Sequence, residues 1–464
     1  MPWLFSALAG SMIALPYFIS LWGSSWLFSW FGLSILYRYQ KSLSSYQSPY
    51  VLGFFCYLLC SLFWLVPVAV QFGSLPWLLA CVCLFAFLGL IVWLHIGSFK
   101  LLKPLTPRFN ALIFVGVWLI TEVIMYFTHI PLLSLASTQA YSPLVTLNAV
   151  TGTLGFALIM LLIVTRSFFQ QGILLLFIIL FASLIPKYYD RIPDSHIQAA
   201  VIQPDHNSNF IRLYHQANQD DVSIWPEGLL PTSVNDLIDK DEDNKHVMIF
   251  GSLYKDNSGI HNVMVKDAGN DQQMVQKKYL VPFGESIFID SLPETIQSYI
   301  NQIKNTYWPE ISWLSHYPID SNNTLSLGIG AIHAFICYDA LFADPDGQHS
   351  AGINIIINNN QWYALSMTKR WLFARYRLIA YASLKDTLIS SFDGYSGVIK
   401  PLTNEILTTF NHLESIVHDE VSLYNVNTIW SYGIDVILRY VIIILFAGTI
   451  IWRFHQYVKN RIQR

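Results

Sequence analysis

The stretch Gly352-Ile353-Asn354-Ile355-Ile356-Ile357-Asn358-Asn359-Asn360 decides the fold class of the polar part of this chain. A short β-branched run closed by a polar cluster reads as a strand buried on both faces. The flanking sequence agrees. Ile329–Cys337 reads as a strand ending at the cysteine, Met367–Leu384 as a helix, and Thr387–Phe392 and Gly397–Lys400 as further strands. Upstream, His196–Gln203 reads as a strand, Asn207–Asp220 as a helix, and Asp221–Trp225 as a strand ending at Pro226-Glu227. His246–Tyr254 and Ile260–Lys266 flank Asp256-Asn257-Ser258-Gly259, a hairpin signal. Alternating strands and helices imply a layered α/β domain. Such folds place functional side chains at strand ends.

The rest of the chain is of another kind. Of 464 residues 53% are hydrophobic and only 12% charged, against about 25% charged in soluble domains. The deficit lies before Pro186. Apolar runs at about 3–20, 21–37, 50–71, 75–99, 110–128, 142–165 and 171–186, with another at 434–453, suit spanning helices of roughly 20 residues. Basic residues follow the second run (Arg38, Lys41), the fourth (Lys100, Lys103, Arg108), the sixth (Arg166) and the eighth (Arg453, Lys459, Arg461, Arg464). That alternation fits the positive-inside rule. It puts both termini in the cytoplasm and residues 187–433 outside it. The N-terminus lacks the basic segment of a cleavable signal peptide. The expected organisation is a membrane domain over 1–186 with about seven helices, an α/β domain over 187–433, and a C-terminal helix with a basic tail over 434–464. Glu122, deep in an apolar run, reads equally as a functional carboxylate or as a hydrogen-bonding partner of a neighbouring helix.

A net charge of −3, with no basic stripe, gives no sign of a nucleic-acid partner. No zinc-type Cys/His spacing and no Gly-rich phosphate loop is present. Cys56, Cys60, Cys81 and Cys83 lie in apolar runs and read as small buried hydrophobes. Cys337 is the one cysteine of the polar domain.

Three segments bear chemistry: Trp225-Pro226-Glu227-Gly228, Lys277-Lys278-Tyr279-Leu280-Val281-Pro282-Phe283-Gly284-Glu285, and Phe335-Ile336-Cys337-Tyr338-Asp339. A thiol nucleophile needs a base or a nearby positive charge. A carboxylate can take its proton, and an ammonium can stabilise an oxyanion. Singly, each residue reads more readily as an ordinary loop carboxylate, a solvated lysine or a buried strand cysteine. His333 precedes Cys337 by four residues in one strand, too far along it for a Cys–His dyad.

At these segments the chain resembles the nitrilase (carbon–nitrogen hydrolase) superfamily, whose members carry a Glu-Lys-Cys triad on an αββα sandwich. With seven helices before that domain and one after it, the layout is similar to apolipoprotein N-acyltransferases. The resemblance implies catalytic Glu227, Lys277 (not Lys278, by its offset from the LVPFGE segment) and Cys337. It implies supporting or substrate-binding roles for Glu285, Tyr338, Asp339, Gln203, Asn358 and Trp362, and it places Arg375 and Arg377 on the helix after the Asn-rich loop. The chain departs from the family at Asp339, where a glutamate is usual, at Tyr279, where a histidine is usual, at Gln361 in the Asn-rich loop, and at Pro204-Asp205-His206.

The implied activity moves an acyl chain from a phospholipid to the α-amino group of a diacylglyceryl-cysteine on a lipoprotein, through a Cys337 thioester and without a cofactor. The implied location is the bacterial inner membrane, with the α/β domain periplasmic. Two other readings stay open: a membrane-anchored amidase or hydrolase resembling conjugal-transfer proteins, and a non-catalytic scaffold.

Overall fold

The computed structural model describes residues 1–17, 24–40, 48–73, 77–102, 109–128, 130–131, 133–189, 192–205, 208–228, 246–257, 259–269, 271–281, 285, 298, 323–342, 350–363, 366–409 and 413–462. The chain divides into two compact units, neither contiguous in sequence. One comprises Met1–Asp190, Trp362–Leu384 and Thr428–Arg464; the other comprises Arg191–Gln361 and Lys385–Asn427. The boundaries read from sequence at 186 and 434 fall close to two of these junctions. Helix Ser366–Ser383, assigned from sequence to the α/β domain, instead groups with the helical unit.

Among the described residues, five helices are long and apolar enough to cross a membrane: Trp77–Leu102, Asn110–Phe127, Val145–Val164, Phe168–Tyr189 and Ile434–Gln456. The first three expected spans correspond to shorter helices, Pro2–Ala14, Leu27–Gln40 and Pro49–Leu62, the last followed by Leu65–Gly73. Of the basic residues used to orient the spans, Lys41, Lys103, Arg108 and Arg464 lie outside the described residues.

Small residues let the first helices pack backbone to backbone. A Cβ on Gly10 would lie 1.8 Å from the Gly53 carbonyl oxygen. Helix Asn148–Val164 is interrupted at Gly152, whose φ of 66° is open to glycine. The amides freed just past the break are capped from another helix. Asp435 accepts Thr153 N at 3.0 Å, Thr153 Oγ1 at 2.9 Å and Leu154 N at 2.8 Å. Glu122 accepts Leu135 N at 2.8 Å, which is the bland reading of that carboxylate.

The second unit holds two six-stranded sheets. Their strands are β1 Ser195–Gln203, β2 Val222–Ile224, β3 Val247–Asp256, β4 Gly259–Ala268, β5 Asp271–Gln276, β6 Thr324–Ser326, β7 Ala331–Ile336, β8 Ala351–Asn359, β9 Thr387–Phe392, β10 Gly397–Lys400, β11 Glu405–Thr408 and β12 Ser415–Leu423. The orders are β12-β1-β2-β3-β4-β5 and β6-β7-β8-β9-β10-β11. Each sheet runs antiparallel, parallel, parallel, antiparallel, antiparallel along its order. One therefore repeats the plan of the other.

The sheets face each other across an apolar core that includes Val201, Ile224, Ile249 and Met264 from the first, and Ile332, Ile336, Ile355 and Leu388 from the second. Odd-numbered residues of Gly352–Ile357 supply that core, the period of 2 that a strand requires. Helix Phe210–Ala217, N-capped by Asn209, covers the outer face of the first sheet with Leu213, Tyr214 and Ala217 over Trp225 and Phe250. The α/β sandwich expected from the sequence is present.

Candidate active site

The three segments meet at the ends of strands. β2 leads directly into Pro226 and Glu227. That turn needs Gly251 beside it on β3. A Cβ there would lie 2.5 Å from Glu227 Cα and 2.9 Å from Gly228 N, and the Gly251 amide donates to Pro226 O at 3.2 Å. Lys277 follows β5 and stays in register, donating its backbone N–H to Asn262 O at 2.8 Å. Cys337 follows β7, donates its N–H to Ile357 O at 2.7 Å and opens into the turn of helix Asp339–Phe342. Its φ of 50° is left-handed, a strained conformation for a residue with a side chain. A nucleophile on a strained strand-to-helix turn is held proud of the sheet end.

The side chains converge. Lys277 Nζ donates to Glu227 Oε1 at 2.9 Å and to Glu285 Oε1 at 2.7 Å. Glu227 Oε2 accepts Asn359 N at 3.0 Å, tying the carboxylate to the end of β8. Glu285 Oε2 accepts Val281 N at 2.8 Å. The Cys337 side chain is within hydrogen-bonding reach of Glu227. Lys277 is 3% exposed, Glu227 6% and Cys337 7%, so the charges act on one another with little solvent screening.

Burial pushes the Cys337 thiol well above its ordinary range. The Glu227 carboxylate adds to this, and Lys277 opposes it. Burial by itself would lower the Lys277 ammonium; Glu227 and Glu285, and to a smaller extent Cys337 and Asp339, hold it well above its usual value. The resting pair is thus a neutral thiol beside a carboxylate–ammonium cluster. Such a site can move a proton from sulfur to Glu227 at the moment of attack while Lys277 faces the developing oxyanion.

The supporting residues fall into different places. Asp339 reaches backbone amides on both sides of the site: Tyr279 N at 2.7 Å, Lys278 N at 3.4 Å and Ile336 N at 3.3 Å. Burial raises its carboxyl to about 7 against these bonds and the pull of Lys277. Tyr279 lies flat on Phe342, ring centroids 3.8 Å apart, and Tyr338 meets Phe342 edge-on at 5.6 Å. Lys278, by contrast with Lys277, sits with its ammonium 5.6 Å from the Tyr279 ring. Gln203, ending β1 as Cys337 follows β7 in the repeated plan, is buried and ties Thr409 and Leu413 down. Asn358 is buried at the end of β8. The Trp362 side chain and residues Pro282, Phe283, Gly284 and His206 lie outside the described residues. His333 packs against Phe335, ring centroids 4.2 Å apart. Arg375 and Arg377 belong to the helical unit, where Arg375 donates to Ser137 Oγ at 2.8 Å and Arg377 lies over Tyr141 and Tyr381.

Asn262 was not singled out by sequence reasoning. Its Nδ2 donates to Glu227 Oε1 at 2.7 Å and to Glu285 Oε1 at 3.1 Å. The signal was present but faint: a polar residue opening the apolar run Val263-Met264-Val265, one pairing step from Lys277.

Among the described residues no group of three or more His, Cys, Asp or Glu side chains is placed to hold a metal. Residues 3–165 match the family described as the apolipoprotein N-acyltransferase N-terminal domain. No curated protein matches the chain. Similar solved structures include the carbon–nitrogen hydrolase superfamily protein XC1258 of Xanthomonas campestris, with an arsenic adduct in its active site. It is 16% identical, over 49% of this chain and 91% of that one, with a TM-score of 0.32. Another is the glutamine-dependent NAD+ synthetase of Cytophaga hutchinsonii, 11% identical over 49% of this chain and 43% of that one, with a TM-score of 0.31. Over residues 3–165 the chain is thus similar to the N-terminal domain of apolipoprotein N-acyltransferases, and the two-sheet domain that follows carries Glu227, Lys277 and Cys337.

Proposed function

We propose that this chain is an N-acyltransferase that moves an acyl chain from a phospholipid to the amino group of a diacylglyceryl-cysteine on a lipoprotein. One observation carries the reading: an apolipoprotein N-acyltransferase N-terminal domain shares a chain with a strained, buried cysteine beside a Glu–Lys pair. In the first half-reaction the Cys337 proton passes to Glu227, sulfur attacks the ester carbonyl, and Lys277 bonds to the oxyanion. Collapse expels the lysophospholipid alkoxide, which takes the proton from Glu227. In the second, Glu227 takes a proton from the attacking amine, the C–N bond forms, and sulfur leaves and is reprotonated. The apolar helices keep the enzyme in the lipid phase that dissolves both substrates, which raises their effective concentration. The location proposed is the inner membrane of a bacterium, with residues 187–433 periplasmic and both termini cytoplasmic.

The test is complementation of a strain depleted of its N-acyltransferase, with Cys337→Ala as control. Mass spectrometry of a lipoprotein N-terminus should find the third acyl chain with the wild type and not with the variant. Absence of the chain with both, despite membrane expression, overturns the acceptor assignment. Release of free fatty acid or ammonia by the wild type in that case selects the hydrolase reading.

A further inference from the structure

Two carboxylates are set side by side in this site with one ammonium between them. Glu227 Oε1 and Glu285 Oε1 each accept from Lys277 Nζ, at 2.9 and 2.7 Å, and each also accepts from Asn262 Nδ2, at 2.7 and 3.1 Å. Two oxygens and two nitrogens close a ring of four hydrogen bonds. The ammonium has three N–H groups and the amide two. The ring uses two of each. The titratable groups around it are Glu227 from the turn after β2, Lys277 from the end of β5, Glu285 beyond it, and Cys337 and Asp339 after β7.

We infer that Asn262 is a positioning residue that holds Glu227 beside Glu285 and aimed at Cys337 by bridging the two carboxylates with a neutral donor. The chemistry distinguishes it from a second lysine. Another cation would neutralise both carboxylates and lower the basicity of Glu227. No donor at all would leave two like charges on one ammonium, and such a pair holds a proton in common. An amide avoids both: it satisfies one lone pair on each carboxylate and adds no charge. Asn262 is 5% exposed, and its backbone carbonyl holds Lys277 N at 2.8 Å, so one residue sets the spacing of all three charged groups. The inference deepens the acyl-transfer reading and rests on it for the role of Glu227 as base.

The test reads the thiol directly. Full-length protein in detergent is alkylated with iodoacetamide from pH 6 to 10, and modification at Cys337 is followed by peptide mass spectrometry. Asn262→Leu, close in size and without a donor, leaves the two carboxylates to share a proton, so less negative charge faces the thiol and the rise in rate should move to lower pH by about one unit. Asn262→Asp, which adds a third carboxylate, should move it to higher pH. Asn262→Gln, which keeps the amide, should recover part of the wild-type profile. A fall in rate by the same factor at every pH, or an unmoved profile in a variant that melts like the wild type, overturns the inference. If Asn262→Leu fails to fold, Asn262→Ser, too short to reach both carboxylates, is read by the same criterion. Because alkylation needs neither acyl donor nor acceptor, this result stands apart from failure of the complementation experiment.

Discussion

The Asp339 carboxylate accepts the Tyr279 backbone N–H at 2.7 Å, so the residue two places after the cysteine fastens the residue two places after the lysine. The same carboxylate also takes Lys278 N and Ile336 N. It is therefore a brace between the segment that carries the ammonium and the strand end that carries the sulfur. The shorter aspartate serves where the resembling family has glutamate, because its targets are backbone amides close at hand.

That brace has a pH signature. Burial raises the folded-state carboxyl of Asp339 to about 7, whereas an unfolded chain leaves it near 3.9. The folded protein thus holds more protons than the unfolded one between these values. Its contribution to stability is largest below about pH 4 and declines as pH rises to about 7. Asp339→Asn should flatten that decline in thermal melts from pH 4 to 7. An unchanged slope would show that Asp339 is not the group responsible.

Lys277→Met should cost about 3–5 kcal/mol, because it strands Glu227 and Glu285 in a buried site without their cation. Adding Glu227→Gln to Lys277→Met should restore part of the loss, since one uncompensated charge is removed. Additive losses in the double variant would show that the pair is not coupled. Both variants should lose lipoprotein acylation.

Gly251→Ala should disable the enzyme more than it unfolds it. The added methyl meets the backbone at Glu227 and Gly228, so the turn itself has to move. A displacement near 1 Å in a reacting group costs about 100-fold in rate. Acylation should fall by about that factor while the protein still melts cooperatively. Wild-type acylation would mean the turn relaxes without moving the carboxylate.

In the helical unit, Asp435→Ala removes the cap from the segment beginning at Thr153. Loss of a cap costs about 1–2 kcal/mol, a few degrees in melting temperature. Asp435→Asn, which keeps one acceptor oxygen, should lose less. Equal melting temperatures for all three proteins would contradict the capping role.

Much of this was legible in the sequence, and for stated reasons. Strands such as Thr387–Phe392 and Gly397–Lys400 sit where their β-branched runs and flanking turns put them. Glu227, Lys277 and Cys337 are named through the resemblance at their three segments, and the family offset from Leu280 separates Lys277 from Lys278; singly, none of them stands out. Asn262 was hidden because its neighbours are ordinary strand residues and its role depends on a pairing register that a single sequence does not display. Gln203, named through the same resemblance, is buried at the end of β1, where its amide bonds to Thr409 and Leu413. The first three expected spans fall on helices Pro2–Ala14, Leu27–Gln40 and Pro49–Leu62, with residues 18–23 and 41–47 beside them outside the described residues.

The interleaving of the two units along the chain bears on synthesis. By the time the ribosome has made residue 361, the helical unit still lacks Trp362–Leu384 and Thr428–Arg464, and the sheet unit lacks Lys385–Asn427. The sheet unit is complete only at residue 427, and the helical unit only after that, with Thr428–Arg464. A protein truncated near residue 361 is left with two unfinished halves, and one continuous cut cannot free the sheet unit from the polypeptide intact.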